Sequence, residues 1–214
     1  MNDIKNPYSG KKFPPEGEME RPSIVIINYG AGNIQSIKFA IRRLGYEAVL
    51  SHDIEEIRNA DKVIFPGVGE ASSAMKKLRA SGLNTIIPTL GQPVLGICLG
   101  MQLMCNSTEE GKTAGLGIFD STVVKFSNKV KVPQIGWNQI TSLKSKLFEE
   151  IDELEHIYLV HRFYAPLSSE TIAVADYELE YSAALKKGNF YGTQFHPEKS
   201  SEVGARILKN FLEM

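Results

Sequence analysis

Cys98 has a glycine two residues before it and another two residues after it, in Val94-Leu95-Gly96-Ile97-Cys98-Leu99-Gly100-Met101-Gln102. The apolar run ahead of it reads as a buried strand, and the residues behind it read as the start of a helix. A sharp strand-to-helix turn with glycines at these offsets leaves no room for a Cβ on either side. It therefore lifts the intervening side chain out of the sheet. At the first turn of a helix, unpaired backbone N–H groups and the positive end of the dipole favour thiolate over thiol. The chemistry implied is attack by sulfur at neutral pH.

Almost a hundred residues later, Gly192-Thr193-Gln194-Phe195-His196-Pro197-Glu198 supplies what a thiolate needs. A proline after His196 favours an extended backbone there, which turns residues i and i+2 toward one side. The spacing assigns attack to Cys98, proton exchange to His196, and orientation of the imidazole to Glu198. Each fragment alone has a plain structural explanation, a buried small hydrophobe or a turn. Both at strand ends, in this order, point to nucleophilic catalysis.

Strands and helices must alternate to hold these groups. Ser23 to Asn28 is a β-branched run, and Ile34, Ile37, Ala40, Ile41 and Leu44 follow at helical period up to Gly45. Strands are expected at 48–50, 62–65 and before Cys98, with a helix over about 70–80. This alternation implies a parallel sheet. Between Gly115 and Tyr191 the period turns to two, at 122–126, 157–160, 171–174 and 182–185, which predicts antiparallel additions. A last helix is expected over 202–212.

Two glycine loops follow strands. Gly30-Ala31-Gly32-Asn33 starts like a dinucleotide-binding turn, but Gln35 stands where the third glycine belongs, leaving a tight turn with Asn33 as helix N-cap. Pro66-Gly67-Val68-Gly69 either aims an N–H at the oxygen of a tetrahedral intermediate, beside the N–H of Leu99, or is a plain strand-to-helix turn. Gln102, four residues after Cys98, shares its helical face, where its amide could meet a substrate.

The 214 residues carry 24 Lys and Arg against 25 Asp and Glu, a formal net charge of -1, with 43% hydrophobic residues. This suits one core and gives no reason to expect nucleic acid as a partner. No apolar run is long enough for a membrane span. Cys105 is expected on the same helix as Cys98, about 10 Å away and too far for a disulfide. His52, His156 and His161 are scattered without ligands at metal spacing, so no metal site is expected. Residues 1–22, rich in Lys, Glu, Gly and Pro, read as a flexible extension before a domain over 23–214. They carry no secretory pattern, so the expected location is cytoplasmic.

Gly96-Ile97-Cys98-Leu99-Gly100-Met101-Gln102 with Gln194-Phe195-His196-Pro197-Glu198 resembles the class I, triad-type glutamine amidotransferases. Asn28-Tyr29-Gly30-Ala31-Gly32-Asn33, Phe65-Pro66-Gly67-Val68-Gly69, Val132-Pro133-Gln134-Ile135-Gly136-Trp137-Asn138 and His196-Pro197-Glu198-Lys199-Ser200 are similar, more closely, to the glutaminase subunits of imidazole glycerol phosphate synthases. The resemblance implies a flavodoxin-like mixed sheet with central parallel strands flanked by helices. It implies hydrolysis of L-glutamine to glutamate and ammonia through a Cys98 thioester, without metal or organic cofactor. In a heterodimer of this kind the ammonia reaches a cyclase subunit, which makes imidazole glycerol phosphate and AICAR for L-histidine biosynthesis.

The same resemblance places the oxyanion hole at the backbone of Gly67, Val68 and Leu99, and substrate contacts at Gly69 and Gln102. It sets Asn33, Trp137 and Lys199 against the partner, and implies a glutaminase that stays nearly silent until the partner turns the Gly67-Val68 peptide. Arg162 departs from the family, which usually carries a small hydroxyl residue there. Other readings are a glutaminase serving a paralogous cyclase in surface-sugar biosynthesis and, more remotely, a cysteine peptidase or γ-glutamyl hydrolase. A non-catalytic binding module sits poorly with a complete Cys98, His196 and Glu198.

Overall fold

In the computed structural model, residues 22–30 and 32–214 are described, so the expected extension lies outside the described residues except for Pro22. The first half alternates as its periodicity predicts. The elements are Ile24–Ile27 (β1), Ile34–Arg43 (α1), Ala48–Ser51 (β2), Ile54–Asn59 (α2), Lys62–Gly67 (β3), Ala71–Ala80 (α3), Leu83–Ile86 (α4), Val94–Cys98 (β4) and Leu99–Met104 (α5). The short helices α2 and α4 carry too few turns to show a period in the sequence. The second half adds Cys105–Thr108 (β5), Thr113–Ala114 (β6), Phe119–Lys125 (β7), Gln134–Gln139 (β8), His156–His161 (β9), Phe163–Tyr164 (β10), Thr171–Asp176 (β11), Glu180–Lys187 (β12), Phe190–Thr193 (β13) and Ser201–Leu212 (α6).

Seven strands form the main sheet in the order β11-β12-β13-β4-β3-β1-β2. Strands β3 and β4 are buried along their whole length, as befits parallel strands covered on both faces. Alternate residues feed two cores. Ile24, Ile26, Ile64 and Leu95 pack with Ile37 and Ile41 of α1 and Ile207, Leu208 and Phe211 of α6. Val25, Ile27, Val63 and Phe65 pack with Ile57 of α2, Met75 and Leu78 of α3 and Met101 of α5. A smaller sheet, β10-β7-β5-β6, and the antiparallel ribbon β8-β9 complete the fold.

Three features depart from the sequence reading. Not every later addition is antiparallel: β11-β12 and β12-β13 are, but β13 runs parallel to β4 and β5 parallel to β7. The tight reversal from β12 to β13 returns the chain in the direction of β4. Cys105 opens β5 rather than continuing the helix, because α5 ends after six residues. Asn33 takes the N-cap position of α1, yet its side chain makes no capping hydrogen bond.

The parallel placement of β13 positions the site. In register, Gly67 of β3 lies opposite Cys98 of β4, and Ile97 lies opposite Thr193 of β13. The segments leaving all three strands therefore emerge together at the carboxyl edge of the sheet, where open α/β sheets bind ligands.

Candidate active site

Cys98 ends β4 with φ 54° and ψ −111°, a left-handed backbone that a residue with a Cβ adopts only under strain. The glycines around it are needed for space. A Cβ on Gly100 would stand 2.1 Å from the Phe65 carbonyl oxygen, and one on Gly96 would stand 2.6 Å from Met104 Sδ. The start of α5 is thus pressed against β3, and the Cys98 side chain is pushed into a cavity of about 410 Å³. That size suits a small molecule.

His196 approaches from the other side, within reach of a side-chain hydrogen bond with Cys98. Its backbone is extended, with φ −98° and ψ 95°, as the following proline predicts. Its N–H donates to the Tyr158 carbonyl at 3.0 Å. Its own carbonyl accepts from Ser200 Oγ at 2.7 Å. Glu198 sits on the short 3-10 turn of Pro197–Lys199 rather than on a strand, and its Oε1 still reaches His196 Nδ1 at 2.9 Å. Burial alone would lower the proton affinity of His196. Its hydrogen bonds to Cys98 and Glu198, reinforced by their negative charge, outweigh this and raise the imidazole to about 10. The imidazolium is therefore the form this pocket favours, with its proton available to a departing base.

Val68, Gly69, Leu99 and Gln102 line the same cavity. A Cβ on Gly67 would lie 2.2 Å from the Gly100 nitrogen and 2.6 Å from the Leu99 carbonyl carbon. The end of β3 thus runs directly against the first turn of α5, and Gly69 carries the chain away with φ +97°. Gln102 is more constrained than its position on the helix implied. Its Nε2 donates to the Phe163 carbonyl at 2.9 Å and to Gln194 Oε1 at 2.8 Å. Both of its N–H groups are used, so only its carbonyl oxygen remains for a ligand.

Trp137 stands on β8 with 54% of its surface exposed, its ring set edge-on to Tyr158 at 5.9 Å. Lys199 Nζ lies 6.0 Å from the same tyrosine ring and borders the cavity. Asn33 lies in the loop entering α1, half-buried and remote from this ribbon in sequence. Arg162 is exposed and lines the rim with Glu110.

Three residues at or beside the site escape a reading of the sequence for catalytic roles. Glu110 follows α5 by only six residues, and the short strand β5 brings it back to the cavity. Gln194 carries one visible signal, its place two before His196 at a strand end, a spacing that shares a face. His161 is buried, and burial pushes its imidazole down to about 4, against the opposing bond to Phe163. Held neutral, it donates from Nδ1 to the Phe163 carbonyl at 2.8 Å and faces the Tyr181 hydroxyl, 3.3 Å from Nε2. It is a framework residue. Cys105, by contrast, is fully buried in the core, as its place after Cys98 leads one to expect, and burial pushes its thiol up to about 12, which leaves it chemically inert.

The family model of class-I glutamine amidotransferases matches residues 25–214. The chain belongs to the class-I glutamine amidotransferase family. Among relatives of this class-I amidotransferase is the imidazole glycerol phosphate synthase subunit HisH of Bacteroides fragilis, 55% identical over 194 residues that cover 89% of this chain and 99% of that one. The HisH subunit of Colwellia psychrerythraea is 44% identical over 207 residues, covering 89% and 92%. A solved structure of a GMP synthase component from Thermoplasma acidophilum superposes with a TM-score of 0.71 at 21% identity, covering 92% of this chain and 94% of that one. At that identity the likeness concerns the fold. Among the described residues, no cluster of His, Cys, Asp or Glu could hold a metal ion, and no helix is long and apolar enough to cross a membrane.

Proposed function

We propose that Cys98, His196 and Glu198 hydrolyse the side-chain amide of L-glutamine and that the ammonia is handed to a cyclase subunit in a heterodimer, for imidazole glycerol phosphate and AICAR formation in histidine biosynthesis. One observation carries the reading: a strained, positive-φ cysteine at a strand-to-helix turn faces a buried His196 to Glu198 pair at 2.9 Å. The relatives at 44–55% identity, named as HisH subunits over nearly their whole length, support the assignment of pathway and partner.

In this mechanism the Cys98 thiolate attacks the amide carbon and the carbonyl electrons move to oxygen. The N–H of Leu99 and one from the Gly67-Val68-Gly69 turn receive that oxyanion. The close packing of β3 on α5, which only Gly67 and Gly100 permit, supports this arrangement. His196 gives its proton to the leaving nitrogen, ammonia departs, and a thioester remains. Neutral His196 then takes a proton from water, which attacks the thioester and releases glutamate. Glu198 keeps Nδ1 protonated and compensates the imidazolium charge. No step requires a metal or organic cofactor. The exposed ribbon bearing Trp137, with Lys199 and the Asn33 loop, forms the surface for the cyclase, and the free oxygen of Gln102 and the backbone at Gly69 contact the substrate.

The test is to purify the chain with the cyclase from the same genome and to measure glutamine-dependent and ammonium-dependent product formation. Cys98→Ser should abolish the first and leave the second unchanged. Glutamine-dependent turnover in Cys98→Ser would remove the thioester mechanism. Faster cleavage of γ-glutamyl peptides than of glutamine would remove the substrate assignment.

A further inference from the structure

Gln194 is completely buried, at the point where β13 ends beside β4. Its backbone N–H donates to the Ala183 carbonyl at 2.8 Å, and its side-chain Nε2 lies 3.7 Å from Cys98 Sγ. Which end of this amide faces the sulfur follows from its neighbours. The Phe163 backbone carbonyl can only accept, so the Gln102 atom 2.9 Å away must be its nitrogen. The same nitrogen faces Gln194 at 2.8 Å, so the Gln194 atom there must be its oxygen. The Gln194 NH₂ is therefore turned toward Cys98. A backbone carbonyl sets the orientation of two side-chain amides in series, and the second ends on the nucleophile.

On its other side the sulfur meets the Val160 carbonyl, at 3.8 Å. A thiol can donate to that carbonyl, whereas a thiolate is repelled by it and finds its acceptor role satisfied by the Gln194 N–H. Hydrogen bonds to a charged partner are roughly twice as strong as those between neutral groups. The amide thus acts on the state from which attack begins and loosens once the sulfur becomes a neutral thioester. We propose that Gln194, aimed by Gln102, is a positioning residue that holds the Cys98 sulfur in the cavity and favours its anionic form. The inference rests on Cys98 being the nucleophile of the proposed reaction.

The titratable groups facing Cys98 are His196 beyond β13, His161 and Arg162 at the end of β9, Tyr29 beyond β1, and Glu110 and Lys199 on the cavity wall. None is changed by substitution at Gln194. The experiment is the pH dependence of Cys98 alkylation by iodoacetamide in the full chain, with Cys105 as the internal unreactive control. Gln194→Met keeps length and removes the donor, so the alkylation midpoint should rise by about one pH unit, roughly a tenfold slower rate below it. Gln194→Glu keeps shape and turns an oxygen toward the sulfur, and its midpoint should rise further. With the cyclase, Gln194→Met should lower kcat for glutamine with KM unchanged, a split that simple loss of packing does not produce.

If either variant fails to fold, the wild-type chain decides. With ¹⁵N-labelled glutamine, the Gln194 side-chain amide resonances should titrate with the alkylation midpoint of Cys98. An unchanged midpoint in a folded Gln194→Met, or amide resonances indifferent to that titration, would overturn the proposal. A wild-type Cys98 no more reactive than Cys105 would instead overturn its assignment as nucleophile.

Discussion

His196 Nδ1 and Glu198 Oε1 are 2.9 Å apart with both side chains shut away from water, and the other carboxylate oxygen, Oε2, has no hydrogen-bond partner among the described residues. The carboxylate therefore interacts chiefly with the imidazole. In the proposed mechanism its tasks are to fix the tautomer and to balance charge, and an amide can perform the first of them. Glu198→Gln can still accept from Nδ1–H through its carbonyl oxygen, whereas His196→Ala removes the proton carrier itself. Steady-state glutaminase assays of the complex should rank His196→Ala close to Cys98→Ser and Glu198→Gln clearly milder. A Glu198→Gln enzyme slower than His196→Ala, with both folded, would reverse these roles.

Gly100 illustrates how the turn at Cys98 is supported by backbone contact. The carbonyl oxygen of Phe65 would meet an added Cβ at 2.1 Å, and a carbonyl fixed in a central strand cannot rotate away. Gly100→Ala should lose about 1–3 kcal/mol of stability as α5 is forced off β3, and the displaced Cys98 should lose activity as well. Gly91 has nothing within 4 Å of an added Cβ, and its φ lies outside the left-handed range. Gly91→Ala should stay within about 0.5 kcal/mol of wild type. Urea unfolding of the two variants side by side measures the difference.

The backbone of the candidate site was legible because it rests on short-range rules. Glycines at fixed offsets from Cys98 and a proline after His196 determine local backbone whatever the tertiary context. The strands at 24–27, 62–67 and 94–98 were legible because parallel strands buried on both faces must be continuously apolar. What escaped depends on longer-range packing. Nothing near Phe190 signals that β13 will pair parallel with β4, since that follows from where β12 leaves the chain. Asn33 has the right residue type for a cap, but its backbone at φ −84° and ψ 61° does not turn the side chain onto the helix. His161 looked like one of several scattered histidines, and its role depends on Tyr181 and Phe163, which only the fold brings to it.

His161 also makes a pH prediction. Its ordinary value near 6.5 falls to about 4 in the folded chain, mainly through burial, with the charge of His196 adding to the effect. Above pH 6.5 the imidazole is neutral both folded and unfolded, so it contributes no pH dependence. Below 6.5 the unfolded chain takes up a proton that the native chain refuses. Stability must then fall as the pH drops toward 4, by up to about 3 kcal/mol. His161→Asn retains a donor for the Phe163 carbonyl and cannot titrate, so its stability should decline less steeply across this window. Urea midpoints from pH 7 to pH 4 compare the two slopes, and parallel curves would exclude His161 as the source.

Trp137 ties the proposed partner surface to His196, the proposed proton carrier. Its ring rests edge-on against Tyr158, and the Tyr158 carbonyl accepts the His196 backbone N–H at 3.0 Å. If Trp137 lies at the proposed cyclase surface, a cyclase gripping the exposed indole would push on the residue that holds His196. From the other side, the Tyr29 hydroxyl donates to the Pro66 carbonyl at 2.8 Å, which joins the loop leading to Asn33 to the strand that ends in the Gly67-Val68-Gly69 turn. On the proposed function both links lead from the partner surface to the candidate site, and the isolated chain should turn over glutamine slowly until the cyclase and its substrate are present. A half-exposed ring contributes little to the core, so Trp137→Ala should unfold at the wild-type temperature. At the interface, loss of an aromatic anchor costs about 2 kcal/mol, roughly thirtyfold in Kd. Calorimetric titration of each chain with the cyclase, followed by glutaminase assays at saturating cyclase, separates weaker assembly from weaker activation. An unchanged Kd together with unchanged activation in Trp137→Ala, or full turnover by the isolated wild-type chain, would refute this coupling.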